Sequence, residues 1–222
     1  MDGFLLVDKP VGISSFGVVA QIRHRIREKT GQKVKIGHTG TLDPAASGLI
    51  ILVVGSYTKQ ASRFSKLDKT YKAELTLGKT STTGDSEGEI TERSDKKPSL
   101  DDIRVVLASF TGEIEQTPHK FSAIKIDGQR AYKLARVGRE VVMKSRRVVI
   151  YEIKDVSYNY PKLSFTARVS SGTYIRSLAE DIGEKLGTAA YLSGLRRTKV
   201  GDFDVGQAEY PGSQNIFSNL KE

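Results

Sequence analysis

A continuous apolar run at residues 49–54 is the feature that most constrains how this chain can fold. All six residues are leucine, isoleucine or valine, and Gly48 and Gly55 bound the run. A short apolar run of this kind, bounded by glycines, predicts a strand that is buried on both faces. The residues just before it are therefore expected to form a tight loop that leads into the core.

That preceding loop, residues 35–48, contains a single carboxylate, Asp43. Because Asp43 precedes Pro44, its backbone is expected to be extended, and the proline restricts the backbone that follows. The glycines of the loop indicate positive φ angles or a close approach of the backbone to a ligand. An Asp-Pro pair is often only a turn in which the aspartate binds its own backbone. The alternative is a carboxylate that is held in place for chemistry.

Composition excludes several kinds of site. The chain has 222 residues, no cysteine and three scattered histidines, His24, His38 and His119. Disulfides and thiolate metal sites are thus excluded, and we predict no metal centre. No run of about 18 apolar residues is present, so no membrane span is predicted, and the N-terminus does not resemble a signal peptide. We expect a single cytoplasmic domain, residues 1–222, that is a monomer.

Positive charge is concentrated in residues 119–147. The whole chain has 35 Lys and Arg against 26 Asp and Glu, a net charge of +9. This stretch alone has nine basic residues and two acidic ones, a net charge of +7. A basic run is often only a solvated surface. Phe121 and Tyr132 interleave with these cations and offer stacking platforms, so a nucleic acid is the favoured partner.

Hydrophobic periodicity predicts an α+β fold with a central, mixed and largely antiparallel sheet flanked by helices. Strands are predicted at residues 3–10, 49–54, 71–77, 148–158 and 163–169, and the last two are expected to form a hairpin. Helices are predicted from a cap at Ser14 or Ser15 to an end at Thr30-Gly31, after a capping box of Ser99 and Asp102, near 131–137, after 170–173 and in a short segment through Leu192. Residues 78–95 are polar and contain glycine, which predicts a loop.

Several segments have an unusual order of residues: GHTGTLDPAASG at 37–48, KTYKA at 69–73, TSTTGD at 80–85, QTPHKFSAIK at 116–125, SGTYIRSL at 171–178 and LRRTKVG at 195–201. Together they resemble the TruB family of tRNA pseudouridine synthases. The family's catalytic motif is similar to residues 37–48, and its aspartate corresponds to Asp43. His119 stands where the family pattern has a second proline, which bears on the rigidity of the chain there.

The resemblance implies roles for the matching residues. Asp43 would be the catalytic residue, Arg176 its partner, and Tyr71 an aromatic that stacks on the target base. The implied RNA-binding residues are Lys9, His38, Tyr174, Leu195, Arg196 and Arg197, together with Lys120, Lys125, Arg130, Tyr132 and Arg136 in a basic thumb, residues 119–147. Tyr71 could equally be a core aromatic at the start of its strand, and Asp85 could be no more than part of a polar loop.

The resemblance also implies the pseudouridine synthase fold and the isomerisation of uridine 55 in the T-loop of tRNA. The T-arm stem-loop would be the partner, with no obligate protein partner, and the target base would be flipped out of its stack. The reaction involves no redox change, so no cofactor is expected. One carboxylate can serve, either by attacking C1′ or by removing a ribose proton. Many family members carry a C-terminal PUA domain, and we expect none here because the sequence stops at Glu222.

Two other functions remain open on the sequence alone. The chain could be a module that binds or folds RNA and in which the chemistry is dispensable. It could also be an aspartate-dependent phosphoryl-transfer enzyme, which would need a metal site, and few clustered carboxylates are present. Substitution of Asp43 separates the first alternative from a pseudouridine synthase, and activity in excess chelator separates the second.

Overall fold

The computed structural model describes residues 1–122, 124–126 and 128–221, apart from the side chain of Asn219. Ala123 and Asp127 belong to the predicted thumb and lie outside the described residues. Two compact units are present: Met1–Lys72 with Leu195–Glu222 form the first, and Ala73–Gly194 form the second.

The strands, in chain order, are β1 Gly3–Lys9, β2 Ile36–His38, β3 Ser47–Val54, β4 Lys69–Leu77, β5 Lys79–Ser81, β6 Ile90–Glu92, β7 Gly112–Gln116, β8 Lys125–Ile126, β9 Gln129–Arg130, β10 Arg146–Asn159, β11 Lys162–Val169, β12 Ala190–Val200 and β13 Phe203–Asp204. The α-helices are α1 Ser15–Thr30, α2 Ala61–Ser65, α3 Leu100–Ala108, α4 Ala131–Arg136 and α5 Ile175–Lys185. Short 3₁₀ turns occur at Gly55–Gln60, Val205–Gln207 and Ile216–Asn219.

In the first unit, the predicted apolar strand is the central element. β3 pairs along its length with antiparallel β1 and is joined by antiparallel β2. β12 runs parallel to the start of β3, with Arg197 opposite Gly48. Residues 49–54 are fully buried, as predicted. Because β3 has neighbours on both sides and no exposed face, the loop before it is anchored directly in the core.

Opposite faces of this sheet pack against different layers. Helix α1 covers one face through residues that include Val18, Ile22 and Ile26. Burial of each such side chain contributes about 1.5–3 kcal/mol to the free energy of unfolding. Phe4 on the other face contacts the rings of Phe64 and Phe203. The predicted caps of α1 are confirmed: the Ser14 hydroxyl accepts the Gly17 N–H, and Gly31 ends the helix in the left-handed region. The caps determine where α1 begins and ends, and its beginning lies next to the Asp43 loop.

The second unit is built around the predicted hairpin of β10 and β11, whose strands are antiparallel, with β7 antiparallel on the other edge of β10. Helix α3 begins with the predicted capping box, in which Ser99 and Asp102 satisfy each other's backbone N–H groups. Helix α5 buries Leu178, Ala179 and Ile182. The antiparallel pairs of both units and the parallel β3–β12 pair confirm a mixed, largely antiparallel α+β fold.

Two predictions of local structure were wrong. Part of the polar segment 78–95 forms the antiparallel pair β5–β6, in which Ile90 is the one apolar residue and is exposed, so the sequence shows no hydrophobic alternation there. The predicted short helix through Leu192 is instead the start of β12. A positive φ at Ala189 redirects the chain, and the Leu192 N–H donates to Gly84 O. None of the described helices is both long and apolar enough to cross a membrane.

Candidate active site

The Asp43 loop is bound on both sides of the aspartate to residues 12–15, the segment that leads into α1. The Ser15 hydroxyl accepts the Leu42 N–H and donates to Leu42 O, both at 2.8 Å. On the other side, the Gly12 N–H donates to Pro44 O at 2.8 Å. Asp43 itself is only partly buried. The loop thus presents its carboxylate from a backbone that is fixed before and after it.

Lys9 also stabilises the Asp43 loop. Its side chain has 0% relative exposure, and its ammonium group donates to the carbonyls of Pro10 at 2.9 Å, Ile13 at 2.7 Å and Pro44 at 3.4 Å. The sequence predicted an RNA contact for Lys9. Its burial among backbone carbonyls does not fit that role, because a buried ammonium group cannot reach a phosphate in solvent. In this structure it supports the loop.

Arg197 is also buried, contrary to the predicted phosphate contact. Its side chain is 2% exposed, and it donates from Nε to Leu49 O at 2.7 Å and from Nη2 to Gly40 O at 3.1 Å. β12 approaches β3 so closely here that a Cβ on Gly48 would lie 2.2 Å from Arg197 O. Arg197 therefore joins the start of the Asp43 loop to the buried strand β3.

Strand alternation places Arg196 on the opposite face from Arg197. Its guanidinium makes two hydrogen bonds to the Asp8 carboxylate, at 2.7 and 3.0 Å, and this pairing raises the pKa of Arg196. Part of the Arg196 side chain is exposed, so a phosphate contact remains compatible with its position. The sequence could not distinguish the two arginines, because both are basic residues in the same short motif.

The predicted base-contacting residues of the first unit lie on its strands. Tyr71 is nearly buried on β4, whereas His38 on β2 and Leu195 on β12 are partly buried. Lys69, on the same strand as Tyr71, donates to Ser65 O and Leu67 O. Burial, and secondarily the charge of Arg197, lower the pKa of Lys69 to about 8. The role of Tyr71 as a stacking residue stays a prediction.

In the second unit, Arg176 lies in the first turn of α5 and is held by neighbours from two other segments. Its guanidinium donates to Thr83 O and to Phe121 O, both at 3.0 Å. It also forms an ion pair with Asp85 at 3.4 Å, and both side chains are 7% exposed. A planar guanidinium with several fixed partners has a defined orientation.

Asp85 is a site residue to which the sequence gave little weight. One of its carboxylate oxygens accepts the Thr83 hydroxyl at 2.6 Å and the Glu87 N–H at 3.1 Å, while the other faces Arg176. The sequence signal was the TSTTGD segment, in which a threonine lies two residues before the aspartate. A polar loop with this spacing gives no indication of burial, so the ion pair is visible only in three dimensions.

Tyr174, predicted to line the base pocket, is positioned by two residues that were not predicted as site residues. The buried amide of Gln116 accepts the Tyr174 N–H at 2.7 Å and donates to Tyr174 O at 3.0 Å. The Arg146 guanidinium lies 4.7 Å from the centre of the Tyr174 ring and donates to Gly172 O. Gln116 belongs to the QTPHKFSAIK segment, which was the available signal.

The predicted thumb presents its cations to solvent. Four of the predicted RNA contacts are exposed: Lys120, Lys125, Arg130 and Arg136. Tyr132 is partly buried on α4, the helix predicted near 131–137, with the Arg136 guanidinium 5.5 Å from its ring centre. Among the described residues, no group of three or more His, Asp or Glu side chains is placed to hold a metal ion.

Comparison with known families decides how these features are interpreted. The sequence matches the TruB family pseudouridylate synthase N-terminal domain over residues 27–175 and the tRNA pseudouridylate synthase B C-terminal domain over residues 176–210. The chain belongs to the TruB family. The two matches include every segment in which the sequence analysis found the resemblance, so the predicted family assignment is confirmed.

Relatives within the TruB family are similar over most of this chain. The tRNA pseudouridine synthase B of Geobacter sulfurreducens is 42% identical across 94% of this chain and 67% of its own length. The enzyme of the same name from Cupriavidus metallidurans is 47% identical across 91% of this chain and 64% of its own length. The chain thus spans about two thirds of the length of these relatives.

Solved structures confirm the predicted fold class. A chain in the crystal structure of a Cbf5-Nop10-Gar1 complex superimposes with a TM-score of 0.68 and 30% identity, over 91% of this chain and 50% of that one. A chain in an H/ACA RNP bound to a substrate RNA containing 2'-deoxyuridine gives a TM-score of 0.66 and 28% identity, over 93% of this chain and 50% of that one.

Proposed function

We propose that this chain is a tRNA pseudouridine synthase that isomerises uridine 55 in the T-loop of tRNA. Its membership of the TruB family and the names of its relatives support this activity. The observation that carries the proposal is the Asp43 loop, in which a partly exposed carboxylate is presented by a backbone anchored at Leu42 and Pro44. The reaction involves no redox change and needs no cofactor.

Asp43 is the proposed catalytic residue. A fixed loop holds the carboxylate in one orientation before the substrate arrives, which lowers the entropic cost of reaching the transition state. The carboxylate then either attacks C1′ of the target nucleotide or removes a ribose proton, and the N1–C1′ bond breaks. After the uracil rotates, C5 bonds to C1′. Both routes require Asp43 to be ionised and accurately aimed.

Arg176 is the proposed partner of Asp43. Thr83, Phe121 and Asp85 already hold its guanidinium in place, so its orientation need not be established during the reaction. A charge-assisted hydrogen bond from such a group favours the ionised form of a carboxylate. Asp43 and Arg176 belong to different units, and their pairing is proposed on the strength of the family motifs.

The thumb and the aromatic residues account for RNA binding in this proposal. Exposed cations of residues 119–147 neutralise phosphates of the T-arm, which makes binding dependent on salt. Tyr71, Tyr174, His38 and Leu195 contact the flipped nucleotide or its neighbours, because a base outside its stack needs apolar and aromatic surfaces. We expect the protein to act as a monomer, without an obligate protein partner.

The decisive experiment uses Asp43→Asn. Purified protein is incubated with T-arm RNA, pseudouridine is mapped by carbodiimide treatment, and RNA affinity is measured in parallel. We expect no pseudouridine with Asp43→Asn and a Kd within about twofold of the wild type, because Asn keeps the shape of the side chain and loses its charge. The exposed Asp202→Asn is the matched control and should retain full activity. Turnover by pure Asp43→Asn would refute the assignment.

A second experiment tests Arg176. Arg176→Lys keeps the charge but not the guanidinium fork, so we expect turnover to fall by at least about 100-fold. Near-normal turnover would contradict the proposed pairing with Asp43. Full activity of the wild type in excess chelator would separate this enzyme from a metal-dependent phosphoryl transferase.

A further inference from the structure

His119 occupies the position at which this chain departs from the family pattern of two consecutive prolines. Its side chain is only 11% exposed, and its ring stacks on Phe121 with 5.7 Å between centres and 22° between planes. Pro118 beside it is buried. His119 is therefore a packed part of the segment that leads into the thumb, and its ring is not a surface feature.

The ring of His119 also holds the backbone of Phe121. The Phe121 N–H donates to His119 Nδ1 at 3.3 Å, and the carbonyl of the same residue accepts from Arg176 Nη2 at 3.0 Å. One peptide segment is thus held at its N–H by His119 while its carbonyl holds the guanidinium. A proline at 119 would restrict the backbone but could not accept this N–H.

The other ring nitrogen faces helix α5. Because Nδ1 accepts a hydrogen bond, the neutral ring carries its proton on Nε2, and Nε2 lies 3.6 Å from a carboxylate oxygen of Glu180. Glu180 follows Arg176 by four residues, so the two lie on the same face of α5. The contacts form a closed path from Arg176 through Phe121, His119 and Glu180 back to α5.

Burial and nearby charged groups determine the protonation of His119 and Glu180. Burial, followed by the charges of Arg176 and Lys120, lowers the pKa of His119 to about 4, against a weaker opposing effect of Asp85. Burial and the nearby Asp181 raise the pKa of Glu180 to about 7, with Arg176 and Lys120 acting in the opposite direction and Asp85 adding to the increase. At neutral pH the histidine is uncharged and Glu180 is close to its midpoint.

We propose that His119 is a positioning residue for Arg176, linking helix α5 to the Phe121 carbonyl that orients the guanidinium. This inference rests on the proposed function, in which Arg176 acts on the catalytic carboxylate. The link is strongest when Glu180 is ionised, because a negative charge 3.6 Å from Nε2 attracts the N–H dipole more strongly than a neutral carboxylic acid does. Turnover should therefore rise as the pH passes upward through 7.

The test compares His119→Ala, His119→Asn and Glu180→Gln with the wild type. Single-turnover rates on T-arm RNA are measured with saturating protein between pH 6 and 8.5, alongside RNA affinity. His119→Ala should react about tenfold more slowly, the effect of about one lost hydrogen bond on the reacting state, with a Kd within twofold. His119→Asn should recover most of the rate, because an Asn side chain accepts the N–H two residues on.

Two further comparisons distinguish positioning from a general loss of structure. The rise in rate near pH 7 should be absent from Glu180→Gln, and the exposed His24→Ala should match the wild type. Amide hydrogen exchange of Phe121 should accelerate in His119→Ala and return towards the wild-type rate in His119→Asn, whether or not the protein is active.

The outcomes separate this inference from the proposed function. A wild type that forms no pseudouridine refutes the function, and the Phe121 exchange measurement still decides whether His119 holds this segment. Unchanged Phe121 exchange in His119→Ala overturns the inference, as does an unchanged single-turnover rate in an active protein. An unchanged pH profile in Glu180→Gln overturns the part assigned to Glu180.

Discussion

Arg197→Met tests whether a buried arginine holds the Asp43 loop to the core. Methionine is of similar length, is apolar and adapts to irregular spaces, but it cannot donate to Leu49 O or Gly40 O. Each carbonyl left without a partner costs about 1–3 kcal/mol, or about 2–6 kcal/mol for the pair. Removal of a buried charge offsets part of this cost. We therefore expect the free energy of unfolding to fall by about 2–4 kcal/mol.

Urea denaturation measures this loss, with Lys199→Met as the matched control. Lys199 lies on the same strand, is 54% exposed and pairs with Asp204 at 3.5 Å, so its replacement should cost less than about 1 kcal/mol. Because Gly40 lies three residues before Asp43, Arg197→Met should also slow single turnover under conditions in which it remains folded. Arg197→Met with the stability of the control and the wild-type rate would show that this arginine does not hold the loop.

Two further predictions concern Gln116 and Lys69. Gln116→Ala removes both hydrogen bonds to the Tyr174 backbone, so it should lower the free energy of unfolding by about 2–3 kcal/mol and slow turnover. Urea denaturation and single-turnover rates would measure both effects, and unchanged values of both would show that Gln116 does not hold the Tyr174 backbone. The pKa of Lys69 is about 8 in the folded protein against an ordinary 10.5, so between these pH values the unfolded chain binds more protons and stability should rise with pH. Denaturation midpoints at pH 7.5 and 9.5 should show this rise in the wild type and a smaller rise in Lys69→Met. An equal rise in both proteins would contradict the role of Lys69.

Local patterns predicted the elements that can be recognised from residues close together in the sequence. Three such patterns span only a few residues each: the apolar run at 49–54, the caps of α1 at Ser14 and Gly31, and the Ser99–Asp102 capping box. Each was visible without knowledge of the fold. The β5–β6 pair was missed because its residues, apart from Ile90, are polar, and the start of β12 was predicted as a short helix.

The burial and the partners of the charged residues were much less predictable. Lys9 and Arg197 were predicted to bind RNA, but in the structure both donate to backbone carbonyls. The sequence could not distinguish the two roles, because a basic residue in a motif looks the same whether it contacts a phosphate or a carbonyl. Gln116 and Asp85 show the converse, because polar residues that the sequence did not predict to be important are buried in the candidate site. Burial depends on which strands and loops meet, and the sequence pattern contains no measure of it.

By itself, the sequence determined the fold class, the family and the motif that presents Asp43, because these depend on hydrophobic periodicity and on an unusual order of residues. Only the tertiary structure decided which cations support the loop, and that Asp85 and Phe121 hold Arg176. The physical reason is that the free energy of a charged group depends on its solvent exposure and on its partners, and in a folded chain both are set by segments far apart in the sequence.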